Sequence, residues 1–202
     1  MSDIPVTLSL AHAHPAQTIA QLVTHVPEAY QRVSAIRDGD HDISYQQLFS
    51  EVSPIAQALL AKGIQKGDRV AVWAPNSVHW VLIALAIHLC GGILVPLNTR
   101  MKGHEAQYIL RNSRCRLLFS VGTFLQQDYP AALAEEGVLD ELMCVLFPGA
   151  HSQVIASVDW DAFLACGTPI TPENVLARAS SVCASDFSDL LFTSGTTGQP
   201  KG

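Results

Sequence analysis

Along the chain, apolar positions switch repeatedly between helical spacing and short unbroken runs. Ile19, Leu22, Val23 and Val26 predict a helix over about Thr18 to Tyr30, ended or bent at Pro27. Val33 to Arg37 and His41 to Ser44 then flank Asp38-Gly39-Asp40, the pattern of a short hairpin. Ser44 and Gln47 have capping-box spacing, and Tyr45, Leu48, Phe49, Val52, Ile55, Ala56, Leu59 and Leu60 follow at helical intervals. Pro54 predicts a kink in that helix and Gly63 its left-handed stop.

From Arg69 onward the pattern alternates. Arg69–Trp73, Ile93–Leu97, Leu117–Val121 and Leu142–Phe147 read as strands, Val78–Cys90 and His104–Asn112 as helices, with a weaker helix around Asp128–Glu136. Such alternation predicts an α/β fold: a largely parallel sheet flanked by helices, with a small N-terminal hairpin. The helix from Val78 is apolar nearly all round, which suits a central covering helix. Pro75-Asn76-Ser77 would cap it and Gly91 stop it. Met1 to Gln17 reads as a mobile tail. Residues 148–185 read as a surface connection with one short helix at Trp160–Cys166, and Asp189–Phe192 as a last strand.

Composition narrows the function classes. Of 202 residues, 49% are hydrophobic and 15% charged, which predicts a large core. A formal charge of −6 and a pI near 5.7 argue against a nucleic-acid partner, because phosphate neutralisation needs a basic face. Arg111, Arg114 and Arg116 read as a solvated helix end. The apolar stretch Val78 to Leu97 is interrupted by His79, His88, Gly91-Gly92 and Pro96, so a buried helix and strand are expected there and no transmembrane segment. The N-terminus has no charged, apolar leader pattern. Cys90, Cys115, Cys144, Cys166 and Cys183 fit neither a zinc knuckle nor a disulfide framework, and read as buried thiols of a cytoplasmic protein. His12 and His14 lack the partners a metal site needs.

The chemistry concentrates in "DLLFTSGTTGQPKG", residues 189–202. Thr193, Ser194, Gly195, Thr196, Thr197 and Gly198 offer hydroxyls and closely approachable backbone amides, and Lys201 adds a positive charge. These are phosphate-binding groups. Composition alone fits a flexible tail equally well. Neither the Walker A pattern nor G-x-G-x-x-G matches the stretch.

The order of residues separates the alternatives. "TSGTTGQPKG" after an apolar strand closely resembles the phosphate-loop signature of AMP-forming adenylating enzymes, a group that includes acyl-CoA synthetases. Ile43 to Ser120 is similar to the N-terminal subdomain of that family, in its G-D-R-V strand entry, P-N-S helix start, G-G-x-x-V-P-L-N turn and Glu105. Within the family, bacterial acyl-CoA ligases look nearest. The resemblance implies an ATP-dependent ligase that converts a carboxylic acid to acyl-adenylate and pyrophosphate, and then to acyl-CoA and AMP. It implies ATP with Mg²⁺, coenzyme A as co-substrate, and phosphate contacts from Thr193, Ser194, Gly195, Thr196, Thr197, Gly198 and Lys201. It also implies that 18–202 is an incomplete AMP-binding domain cut at its phosphate loop, with no catalytic or metal-ligating residue of its own. Such a fragment is expected to be inactive alone and to self-associate. The acid could be fatty, aromatic, alicyclic or steroid-derived. The competing expectation is a non-catalytic short protein that binds a phosphate compound or a partner.

Overall fold

The computed structural model describes residues 16–137, 142–154 and 157–193. The loop residues Ser194 to Gly202, His12, His14 and nearly all of the expected tail lie outside them. Thr18 accepts the Gln21 N–H and starts α1 (Ile19–Thr24), shorter than the predicted helix. After Pro27 the chain makes a separate 3-10 turn, Glu28–Tyr30. The hairpin forms as β1 (Ser34–Asp38) and β2 (His41–Ser44), antiparallel, with Asp38 opposite His41.

In α2 (Tyr45–Ala61) the Ser44–Gln47 capping box is present and the helix runs through Pro54. Its end is stapled twice: Gly63 N–H donates to Leu60 O and Ile64 N–H to Leu59 O. That arrangement needs a left-handed residue, and Gly63 supplies it at φ +77°.

The alternation then appears in order: β3 (Arg69–Trp73), α3 (Val78–Leu89), β4 (Ile93–Pro96), α4 (Gly103–Ser113), β5 (Cys115–Ser120), a β6–β7 ribbon (Thr123–Phe124 and Gln127–Asp128), α5 (Tyr129–Glu135), β8 (Met143–Leu146), β9 (Ser157–Val158), α6 (Trp160–Ala165) and α7 (Pro172–Ser180). Strands β4-β3-β5-β8-β9 form one sheet in that order, with all pairs parallel. Both faces are covered, as parallel sheets require. Val70, Val72, Leu94, Leu117, Phe119 and Val145 point into a core shared with α1, α2, α3, α6 and α7. The alternate positions Ala71, Trp73, Val95, Leu118 and Cys144 point into a second core under α4 and α5. Helix α3 is buried on most of its circumference, which explains why its sequence has so little polar face.

Three expectations need correction. Among the described residues Asp189–Phe192 makes a single bridge, Asp189 opposite Leu94. The reason lies in β4: its next residue able to face that segment is Pro96, which has no N–H to donate. Residues 148–185 carry a second helix, α7, which apolar spacing did not reveal. It starts from a Thr171–Asn174 capping box with Pro172 in its first turn, where proline is favoured, and buries only Val175 and Ala179. Finally, not all thiols are buried. Burial pushes Cys90 and Cys144 up to about 12, whereas Cys183 is exposed and Cys115 and Cys166 are half-buried. Among the described residues no helix is long and apolar enough to cross a membrane.

The hairpin docks on the start of α3. Asp38 Oδ2 accepts the Val78 N–H at 2.8 Å, and the His41 and His79 rings meet edge-on at 6.3 Å. His79 is half-buried against Trp160, and burial first, then His41, pushes its pKa down, with Asp38 opposing. A histidine held below its unfolded value favours the neutral form in the native state. Stability should therefore be complete above about pH 6.5 and fall as the pH drops through the lowered value. His88, also pushed down, acts in the same direction. Between pH 7.5 and 5 the melting temperature of His79→Gln should fall less than that of the parent. Equal losses would remove His79 from the account.

Candidate functional site

The carboxyl ends of parallel strands are where open α/β sheets bind ligands, and the segment before the glycine-rich loop is delivered to that edge. Leu94 N–H donates to Ser188 O and Leu190 N–H to Leu94 O, each at 2.9 Å, so residues 188–190 run parallel to β4. Leu190 and Phe192 pack into the core that holds Val95 and Leu97. Asp189 faces the other way, toward α3. Thr193 therefore emerges at the carboxyl edge of the sheet, beside the end of β4. Of the predicted phosphate ligands only Thr193 is described. Ser194, Gly195, Thr196, Thr197, Gly198 and Lys201 lie outside the described residues, so what the structure provides is the mount of the loop.

That mount is rigid on its neighbouring side. Trp73, at the end of β3, stacks on Tyr129 with centroids 4.0 Å apart and planes 3° from parallel. Trp73 Nε1–H donates to Asn98 O at 3.0 Å and Tyr129 OH to Thr99 O at 2.6 Å, so the turn after β4 is held by two aromatic side chains. Asp128 gathers the Ser152 hydroxyl and the Gln153 and Ala131 N–H groups, which fixes the loop after β8 to α5.

Upstream of the loop the chain is pinned by charge. Lys66 Nζ lies 2.7 Å from Asp186 and donates to Ser181 O, and Asp186 in turn accepts the Cys183 N–H. Arg178 of α7 donates to Ile64 O and Cys90 O. His88 of α3 is 8% exposed, and its Nε2 lies 3.9 Å from Asp189 Oδ1. Burial lowers the His88 pKa and Asp189 opposes the shift. His88 lines a cleft of about 160 Å³ bounded also by Gly91, Gly92, Cys183, Asp186 and Ser188. The sequence marked His88 only as a polar residue in an apolar helix, forming no catalytic pair with Cys90. The usable signal was the second anomaly, an acid opening the apolar run "DLLF".

Among the described residues no group of three His, Cys, Asp or Glu could hold a metal ion. The residue types from Thr193 onward, hydroxyls, glycines and an ammonium, belong by their chemistry to phosphate-binding sequences.

A family model described as AMP-binding enzyme matches residues 23–202. Two curated proteins, each called 3-[(3aS,4S,7aS)-7a-methyl-1,5-dioxo-octahydro-1H-inden-4-yl]propanoyl:CoA ligase, are similar to the chain. That of Rhodococcus jostii (strain RHA1) is 39% identical over 189 residues, spanning 89% of this chain and 37% of its own length. That of Mycobacterium tuberculosis (strain ATCC 25618 / H37Rv) is 40% identical over 185 residues, spanning 90% and 34%. The chain thus spans about a third of the length of these relatives. Among solved structures, the anthranilate CoA ligase AuaEII in complex with anthranoyl-AMP superposes with a TM-score of 0.69 at 25% identity, covering 92% of this chain and 34% of that one.

Proposed function

The chain belongs to the AMP-binding enzyme family, and from that premise we propose that it is the part of an ATP-dependent acid–thiol ligase that bears the phosphate loop. The carrying observation is the sequence TSGTTGQPKG placed directly after a segment that runs parallel to β4 and opens at the carboxyl edge of the sheet. In this reading the ligase joins a carboxylic acid to coenzyme A through an acyl-adenylate, in a cytoplasmic setting. The hydroxyls of Thr193, Ser194, Thr196 and Thr197, the amides of Gly195 and Gly198, and Lys201 hold the β- and γ-phosphates of ATP and neutralise the departing pyrophosphate. Mg²⁺ brought with the nucleotide would supply further charge neutralisation. The two similar ligases are named for a propanoyl side chain on a saturated bicyclic dione. A carboxylate carried by an alicyclic ring system is accordingly the proposed substrate class.

The test is ATP–pyrophosphate exchange with a panel of ring-bearing, fatty and aromatic acids. Two proteins are compared: the 202-residue chain, and an assembled ligase in which these residues replace the matching third of the Rhodococcus jostii relative. The assembled ligase should exchange in an acid-dependent manner. The chain alone should not, and should self-associate, since Phe187 (81% exposed) and Leu191 (62% exposed) stand beside an edge without a neighbouring strand among the described residues. Acid-dependent exchange by the 202 residues alone would refute the inactive-part reading. A folded chimera that binds no ATP would favour the non-catalytic alternative. Within the active protein, Gly195→Val and Gly198→Val should each impair ATP use while the parallel sheet stays folded by circular dichroism, because a side chain there keeps the backbone amides from closing on phosphate. Full exchange in both variants would refute the close-approach role.

A further inference from the structure

We propose that Cys183 is a thiol-modification site, and that the cleft it shares with His88 receives the cationic half of a small disulfide, which leaves an aminoalkyl thiol bonded to Sγ. Its residues all lie upstream of the glycine-rich loop, and the site stands whether or not that loop binds phosphate.

The cleft lies between the start of α1, the end of α3 and the turn after α7, with Thr18, Ile19, His88, Gly91, Cys183 and Asp186 in its walls. At about 160 Å³ it has the volume of about five waters. His88 is what makes it more than a dent in the surface. Its side chain is 8% exposed, and the approach of Asp189 at 3.9 Å is too long for a hydrogen bond. The ring has no other hydrogen-bond partner among the described residues. Its nitrogens are nevertheless not sealed, because Ser53 Oγ is the one fully buried side-chain nitrogen or oxygen without a partner among the described residues. They open on the cleft that the ring lines. Burial holds the imidazole toward its neutral form, with Asp189 opposing. A neutral ring has one nitrogen that accepts, and here nothing donates to it.

Cys183 is the exposed thiol of this wall. Burial pushes Cys90 and Cys144 up to about 12 and Cys115 up to about 11, which leaves them inert. Cys166 turns its thiol to Ala162 O within α6. Cys183 Sγ instead lies 3.7 Å from Ser181 O, and the same carbonyl accepts from Lys66 Nζ at 2.9 Å. The sulfur thus stands beside an ammonium, a setting in which reactive cysteines are found.

The sign of the ligand follows from the walls. No lysine or arginine lines the cleft, and Lys66 just outside it is engaged by Asp186 at 2.7 Å. The carboxylate of Asp189 lies 3.9 Å from His88 Nε2. An ammonium can donate to the imidazole and gain from that negative charge, whereas an anionic head meets no free cation. In the reaction the Cys183 thiolate attacks one sulfur of the disulfide. A new S–S bond forms as the old one breaks, and the departing aminoalkyl thiolate takes up a proton from water.

The experiment compares three disulfides of similar length on the 202-residue chain: cystamine, which is cationic, hydroxyethyl disulfide, which is uncharged, and dithiodipropionate, which is anionic. Peptide mass spectrometry reads the rate at each cysteine, and the unfolded chain supplies the intrinsic reactivity of each reagent. After that correction, cystamine should modify Cys183 about tenfold faster than dithiodipropionate, the effect of one charge-assisted hydrogen bond partly open to water. Hydroxyethyl disulfide should fall between them, and at Cys166 the three should be nearly equal. His88→Leu removes the acceptor and leaves every formal charge in place, so the preference at Cys183 should shrink several-fold. His88→Gln keeps a carbonyl acceptor and should retain most of it. Faster reaction with dithiodipropionate is what a thiol beside a free ammonium would show, and it would overturn the proposal. Equal rates for the three reagents, or the full preference in a folded His88→Leu, would overturn it as well and leave Cys183 an exposed thiol with no site beside it.

Discussion

Gly122→Ala is expected to lower the melting temperature by roughly 6–12 °C. Gly122 sits between β5 and the β6–β7 ribbon with φ at +71°, a left-handed conformation that costs an L-residue about 1–2 kcal/mol. Space is the larger problem. A Cβ there would overlap the carbonyl oxygen of His151. That carbonyl cannot retreat easily, because Asp128 holds the next two residues through the Ser152 hydroxyl and the Gln153 N–H. Gly122 is anchored as well, its own carbonyl accepting the Tyr129 N–H at 3.0 Å. Strain and overlap together should reach about 3 kcal/mol, and each kcal/mol moves the midpoint of a domain this size by about 2–4 °C. Gly149→Ala is the control. It shares a φ of +69° but nothing lies within 4 Å of its Cβ, so it should show the backbone cost alone. Equal shifts for the two would mean that the loop at His151 yields.

What was legible in the sequence follows from which features are local. Ser44 with Gln47, Gly63 and the apolar α3 are signals that a helix carries within itself, and each appears where its residues predicted. The alternation of Val70 and Val72 with Ala71 and Trp73 separates two cores that no single window of sequence distinguishes. Helix α7 escaped because its two buried residues, Val175 and Ala179, make a stripe too thin to register as periodicity. What anchors it is distant in sequence: Arg178 reaches Ile64 and Cys90, and Ile170 just before it accepts a hydrogen bond from Gln57 of α2. The strand predicted at Asp189–Phe192 fell short because of Pro96, a residue more than ninety positions away that makes a poor neighbour. At the end of the chain the family was legible and placement was not. TSGTTGQPKG carries a family signature in its order, whereas the placing of residues 188–190 beside β4 depends on Leu94, which carries no such mark.

Removing the charge from the loop should have a large effect on chemistry. Lys201→Ala in the assembled ligase is expected to slow acyl-adenylate formation about 10- to 150-fold, measured as acid-dependent ATP–pyrophosphate exchange at subsaturating ATP. The size follows from the contact: a charge-assisted hydrogen bond is worth roughly 1.5–3 kcal/mol, and every 1.4 kcal/mol is about tenfold in rate. The hydroxyls of Thr193, Ser194, Thr196 and Thr197 can share hydrogen bonds among themselves, so losing one leaves others in reach. Lys201 is the one formal positive charge within residues 193–202, and nothing else in the loop replaces it. Lys201→Arg should recover part of the loss, since a guanidinium also pairs with phosphate but is wider and flatter than an ammonium. Pro200 limits how far the backbone can adjust to it. Salt tests this role independently of the rate. A phosphate contact made by an accessible lysine weakens as ionic strength rises, so the parent should lose exchange activity on going from low to high salt more steeply than Lys201→Ala does. If Lys201→Ala exchanged pyrophosphate at the parental rate with the parental salt dependence, the ammonium would have no part in holding the phosphates, and the charge on the departing pyrophosphate would have to be met from outside these 202 residues.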